Sequence, residues 1–168
     1  MTAALPGDLD GLPVAGVTLG HPDTATAEHW LASLDPPPLF AATHLVRDPR
    51  PHVAWTLVFA GSVPPVGDPC PAAAAAHGSS GRAVVYPGSA RLVGDLTVAQ
   101  ILAASAIDRI TILGGGTPAP SAVVRTGDYV RPQFHAGELV LTVMPAAGGT
   151  LVPFETRNPT PCCADHAF

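Results

Sequence analysis

Lysine is absent from this chain, and its eight basic residues are all arginine. The formal net charge is −5, and the only local group of basic residues is the pair Arg47 and Arg50. A surface that binds nucleic acid needs clustered cations that neutralise the phosphates. The sequence therefore argues against a nucleic-acid partner.

Long apolar runs are also missing. No stretch approaches the roughly 18 apolar residues that a membrane-spanning helix needs. Residues 1–20 contain no Arg or Lys and no unbroken apolar segment. They therefore match neither the basic n-region nor the apolar h-region of a secretory signal peptide. We therefore expect a cytoplasmic protein that has no membrane partner.

Cysteine is scarce, since the chain has three: Cys70 and the adjacent pair Cys162 and Cys163. An odd count that includes two neighbours does not fit a framework of disulfides. In a reducing compartment such thiols are free, bound to metal or active in redox chemistry.

Aromatic residues make up 5% of the chain and charged residues 12%, yet Leu, Ile, Val and Phe together make up a quarter of it. That share is enough to bury a core, and 168 residues is the length of one ordinary domain. The 17 glycines and 20 prolines predict long or rigid loops. We expect a single domain over residues 1–168, with a mobile Pro/Ala/Gly-rich loop at about 61–82 and an extended tail at about 156–168.

Two segments have helical patterns. Ala27, Trp30, Leu31 and Leu34 form one apolar stripe on a predicted helix over 24–34, which Asp23 can cap. Residues 97–100 read as a capping box at the start of a second helix over 98–107.

The remaining apolar segments predict strands. Residues 53–59 alternate in a way that fits a central strand, and the series of short strands after residue 109 is joined by hairpin-type turns. The expected fold class is α+β: a mainly antiparallel sheet of about seven to nine strands, with two helices packed on one side. An exposed edge of this sheet would allow pairing with a second copy in a homo-oligomer.

The main hypothesis about function concerns the tail. Thiolate and imidazole are preferred ligands of zinc and copper, and Cys163 and His166 have chelate spacing. Cys162 could add a third ligand where the backbone bends, and His135 is our choice for the fourth, with Cys70, His77 and Asp165 as alternatives. The sequence thus predicts a transition-metal-binding protein that uses Cys162, Cys163, His166 and His135.

Two other functions remain open at this stage. One is a non-catalytic domain that binds a ligand or a protein, with no metal. The other is a thiol redox protein, because vicinal cysteines can close a strained and labile disulfide. The sequence has no GxSxG motif of a serine hydrolase, and Gly114-Gly115-Gly116 lacks the context of a phosphate loop. Whether the protein is an enzyme of another kind is left open by the sequence.

A second site candidate lies on the later strands. Arg125, Asp128, Tyr129 and Arg131 could line a pocket for an anionic ligand, or could form ion pairs on an outer face of the sheet. His44 and His52 flank one hairpin loop and could approach each other, depending on the strand register. His29 is expected to face solvent, opposite the apolar stripe of the first helix.

Overall fold

The computed structural model describes residues 9–157. Within this range the chain forms three helices and eleven strands. The helices are α1 (Thr24–Leu31), α2 (Pro71–Ala75) and α3 (Val98–Ala104). The strands are β1 (Val14–His21), β2 (Phe40–Val46), β3 (His52–Val58), β4 (Asp68–Pro69), β5 (Arg82–Val85), β6 (Asp95–Thr97), β7 (Arg109–Ile112), β8 (Val123–Arg125), β9 (Gln133–His135), β10 (Glu138–Pro145) and β11 (Leu151–Pro153).

The strands join in one sheet in the order β4-β1-β3-β2-β5-β9-β10-β11-β8-β6, and β7 pairs with β10 outside this path. The β7–β10 and β8–β11 pairs are parallel, and all other pairs among the described residues are antiparallel. The architecture is therefore consistent with the predicted α+β class and its mainly antiparallel sheet. The strand count exceeds the expected seven to nine, because β4 and β6 are too short to show a pattern in the sequence.

Neighbouring residues of β2 and β3 belong to different apolar clusters, as strand geometry requires. Phe40 and Val58 pack in one cluster, which contains much of the second half of the chain. Ala41, Trp55 and Leu57 pack in another, on the opposite face. Both faces of β3 are buried, which agrees with its predicted central position between β1 and β2.

The two helices that the sequence predicted have the predicted caps. Asp23 accepts a hydrogen bond from the Thr26 amide at the start of α1, and Thr97 and Gln100 form the capping box of α3. Each helix ends three residues before its predicted end. Helix α1 packs in the cluster of Trp55, whereas α3 packs in the cluster of Phe40, so the structure does not confirm that both helices pack on one side.

The segment predicted as a mobile loop at about 61–82 contains β4 and α2. Ala73 is fully buried and packs with Ala54 and Cys70, so the alanine run packs against the sheet. Gly16 of β1 makes this possible, since a Cβ atom there would lie 2.3 Å from the Cys70 carbonyl oxygen. Helix α2 thus lies directly on the sheet backbone, and the mobility of the rest of the segment stays a prediction.

Candidate functional site

Of the four predicted metal ligands, His135 alone lies in the part of the chain that the structure describes. Cys162, Cys163 and His166 lie outside residues 9–157. His135 is exposed at the end of β9, opposite Glu138 in the β9–β10 ladder. Within residues 9–157, no three His, Cys, Asp or Glu side chains are grouped so that they could hold a metal ion. The metal-binding hypothesis stays a prediction from the sequence.

The structure shows a different group of charged side chains, between α1 and the sheet. Glu28 of α1 accepts two hydrogen bonds from Arg131, one from Nε at 3.1 Å and one from Nη2 at 2.7 Å. Arg82 of β5 places Nη1 2.7 Å from the Glu28 carboxylate, and its Nε and Nη2 bind Glu155. Together with Tyr129, these four residues form what we call the arginine–glutamate cluster.

Tyr129 lies among the guanidinium groups of this cluster. Its hydroxyl accepts a hydrogen bond from Arg82 Nη2 at 2.7 Å. The guanidinium of Arg131 lies 4.0 Å from the centre of the Tyr129 ring, and that of Arg157 lies 5.3 Å from it. Such cation–π contacts hold a planar guanidinium in a fixed orientation, so Tyr129 positions the arginines as well as bonding to one of them.

Burial and charge act in opposite directions on this cluster. Burial alone would raise the pKa of Glu28, but the hydrogen bonds and charges of Arg131 and Arg82 outweigh burial and lower that pKa below its ordinary value. Burial opposes the charge on Arg82, yet the bonds to Glu155 and Glu28 raise the pKa of Arg82 further. Glu28 and Arg82 are therefore charged at neutral pH, and the cluster joins four segments of the chain.

A cavity of about 1030 Å³, which we call the α1–β5 cavity, opens beside the cluster. Helix α1 contributes Ala25, Glu28 and His29 to its wall, and Ala32 follows just after the helix. Apolar side chains form much of the remaining wall: Leu31, Leu34, Pro37, Pro38, Val84, Val85 and Phe154. The cavity therefore combines an apolar wall with a few convergent polar groups, which is typical of small-molecule sites.

Some arginine N–H groups have no acceptor in the part of the site that the structure describes. An arginine has five N–H groups, and Arg131 uses one each from Nε and Nη2 on Glu28 and one from Nη1 on its neighbour's carbonyl. The buried Nη1 group of Arg82 lies 2.7 Å from the Glu28 carboxylate and is therefore already engaged in an ion pair. Arg157 bonds to Asp128 through Nη2 and is 60% exposed, so, like Arg131, it has N–H groups that can reach a ligand.

A second cavity, of about 970 Å³, lies between the β2–β3 hairpin and α2, and we call it the hairpin cavity. Its wall includes His44, His52 and Cys70. His44 is 8% exposed, and its Nε2 atom lies 2.6 Å from the Thr56 hydroxyl. Burial, together with the nearby His77, lowers the pKa of His44 to about 4, so the imidazole is neutral at neutral pH.

The sequence had pointed to part of this arrangement. Tyr129 and Arg131 do line the α1–β5 cavity, whereas Asp128 pairs with Arg157 at the surface and Arg125 is an exposed residue of β8. His29 is exposed, as expected, and also lines the cavity.

Sequence reasoning missed Glu28, Arg82 and Glu155. Each is an isolated charge in an otherwise unremarkable segment, and the three meet only because the fold brings together positions far apart in the chain. The one signal in the sequence was the position of Glu28 beside the apolar stripe of the first helix, where a charged side chain can reach the sheet.

No protein-family model, curated protein or solved structure matches this chain. In the described range, residues 9–157, no helix is long and apolar enough to cross a membrane.

Proposed function

We propose that this protein binds a small organic acid, an apolar molecule with a carboxylate or a similar acceptor group, in the α1–β5 cavity. The observation that carries the proposal is that N–H groups of Arg131 and Arg157 remain without an acceptor within residues 9–157, beside an apolar wall. A carboxylate fits these groups because arginine donors match its two oxygens in geometry and in charge.

The surroundings of the donors also favour a bound acceptor. Side-chain exposure is 13% for Arg131, so water has little access to its remaining N–H groups. An N–H group that is buried without a partner costs free energy. A ligand acceptor that reached those groups would recover that cost, which makes the cluster a binding surface in addition to an attachment point for α1.

The apolar wall of the cavity favours an apolar body for the rest of the ligand. Val84, Leu34 and the half-exposed Phe154 lie around the same cavity as the arginines. Removing apolar ligand surface from water contributes about 25 cal/mol for each Å² that becomes buried. We therefore expect affinity to grow with the length of an alkyl chain and to depend on its acidic head group.

The test is a calorimetric titration of octanoate and, separately, of 1-octanol, which shares its apolar chain and has no negative charge. Hydrogen bonds to charged groups are worth about 1.5–3 kcal/mol each, so octanoate should bind at least about tenfold more tightly than 1-octanol. Equal affinities of the two compounds would refute the acid-binding proposal.

Matched arginine variants locate the head group. Arg157→Gln should weaken octanoate binding by about three- to tenfold, because one exposed guanidinium at the cavity is lost. Its control is Arg125→Gln, which removes the same charge at an exposed position that does not line the cavity. If both variants weaken binding equally, the effect is a general one of net charge, and the proposed position of the acid is wrong.

A further inference from the structure

The hairpin cavity has its own chemistry, separate from that of the α1–β5 cavity. Its walls are mainly apolar, and they include Val46 and Val53 of the hairpin and Pro71 and Ala72 at α2. Few of its side chains are both polar and buried, and His44 is one of them.

The hydrogen bonds of Thr56 fix the protonation state of His44. The Thr56 hydroxyl donates to the carbonyl oxygen of Ala73 at 3.0 Å, and a carbonyl can only accept. The hydroxyl therefore has only lone pairs to offer His44, whose Nε2 atom lies 2.6 Å away. It follows that Nε2 carries the proton and that Nδ1 of the neutral ring carries a lone pair.

Gly81 lies against the imidazole ring of His44. A Cβ atom at Gly81 would come within 2.6 Å of Cε1 and 3.0 Å of Nδ1 of His44, and Gly81 also lines the hairpin cavity. Within residues 9–157, no donor bonds to Nδ1. A residue that is 8% exposed thus presents a free acceptor beside a cavity.

A second imidazole lies on the same face of the hairpin. Nδ1 of His52 lies 2.9 Å from the carbonyl oxygen of Arg50, so Nδ1 is the donor in that bond. His44 pairs with Ala54, and Val46 pairs with His52. His44 and His52 are therefore diagonal neighbours on one face of the β2–β3 hairpin.

We propose that the hairpin cavity is a second binding site, which takes a small apolar molecule whose O–H or N–H group donates to Nδ1 of His44. The burial of His44 supports this assignment, because its lowered pKa, about 4, keeps the ring an acceptor throughout the neutral range. The site is separate from the α1–β5 cavity. Its ligand donates a hydrogen bond, whereas the acid proposed for the α1–β5 cavity accepts hydrogen bonds.

The probes that test this site are phenol and anisole, which share an aromatic ring and differ in the O–H donor. Side-chain ¹⁵N NMR of the full chain should first show His44 with its proton on Nε2. Phenol should then shift the Nδ1 resonance of His44 and bind about three- to tenfold more tightly than anisole, the range that one hydrogen bond gives.

Two variants of α2 test the position of the ligand. Ala72→Phe places a ring in the wall of the cavity and should abolish the phenol-induced shift. Ala75→Phe introduces the same ring at an exposed position on the same helix, outside the wall, and should leave the shift intact. His44→Gln keeps an amide donor for Thr56 and moves the acceptor from the Nδ1 position to the amide oxygen, so phenol should lose most of its advantage over anisole.

Three results would overturn the proposal: a proton on Nδ1 of His44 in the free protein, equal affinities of phenol and anisole for the unaltered chain, or equal responses of Ala72→Phe and Ala75→Phe. The unaltered chain and the two alanine variants decide the outcome even where His44→Gln does not fold.

Discussion

Nε2 of His44 and the hydroxyl oxygen of Thr56 lie 2.6 Å apart across the β2–β3 ladder, and the same hydroxyl bonds to the carbonyl oxygen of Ala73 in α2. This chain of two hydrogen bonds attaches a neutral, buried imidazole to both the sheet and a helix. Its consequences for stability depend on pH.

The first prediction concerns acid sensitivity. The pKa of His44 falls from an ordinary value of 6.5 to about 4 in the folded protein, because the ring is buried and His77 is near. A lowered folded-state pKa means that only the unfolded chain binds this proton between the two values, so stability falls as pH drops from 6.5 to 4. The loss from His44 should reach about 3 kcal/mol near pH 4 and be absent above pH 7.

Urea unfolding at several pH values checks this, with His44→Gln as the comparison. The variant lacks the titrating ring, so its free energy of unfolding should fall less between pH 7 and pH 4 than that of the unaltered protein. Burial also lowers the pKa of His77 and, against the charge of Asp23, that of His21, and the contribution of His21 cancels in the difference. Identical pH profiles for the two proteins would contradict the assigned burial of His44.

A second prediction concerns Gly16 and the packing of α2. In Gly16→Ala the new Cβ atom would lie 2.3 Å from the Cys70 carbonyl oxygen and 2.5 Å from the Ala74 nitrogen. The backbone of α2 would have to move, at a cost of about 2 kcal/mol or more in the free energy of unfolding.

The control for that substitution is Gly61→Ala, because no atom outside the chain neighbours lies within 4 Å of a Cβ at Gly61. Thermal unfolding of both variants measures the difference. A Gly16→Ala protein as stable as Gly61→Ala would mean that α2 does not lie on β1 in the way described.

A third prediction addresses the arginine–glutamate cluster. Glu28→Gln removes the carboxylate between Arg82 and Arg131 and leaves two buried guanidinium groups with insufficient negative charge. Loss of one partner of a buried ion pair costs about 3–5 kcal/mol, and partial exposure of Glu28 places the expected loss near the lower figure.

Glu138→Gln is the matched change at an exposed ion pair. Glu138 bonds to Arg109, and both side chains are about half exposed, so this variant should lose less than about 1 kcal/mol. Chemical denaturation of the two variants gives the comparison, and losses of equal size would mean that the cluster is not buried against α1.

A fourth prediction tests the metal hypothesis. Protein purified under reducing conditions should contain stoichiometric zinc or copper if Cys162, Cys163 and His166 bind a metal, and Cys162→Ala/Cys163→Ala should lose it. His135→Ala should weaken metal binding if His135 supplies the fourth ligand, whereas His29→Ala should not. Elemental analysis and thiol titration measure these outcomes, and a metal-free protein that does not take up added zinc would exclude the hypothesis.

The features that the sequence predicted are local in character. Alternation along β3 and the caps at Asp23 and Thr97 depend on residues a few positions apart, so they can be recognised without the fold. Helix α2 could not be, because its alanines show no amphipathic pattern and its packing depends on Gly16, more than fifty residues earlier in the chain. The α1–β5 cavity was predictable in part, through Tyr129 and Arg131, whereas Glu28 and Arg82 reach it only by tertiary packing.

The position of the proposed acid-binding site is tested most directly by filling the α1–β5 cavity. Ala25 lines the cavity on an exposed turn of α1, and Ala25→Trp should reduce octanoate binding in calorimetry to the limit of detection. Ala99→Trp makes the same substitution on an exposed turn of α3, outside the cavity, and should bind octanoate as the unaltered protein does. Octanoate affinity that is unchanged in Ala25→Trp would contradict the account.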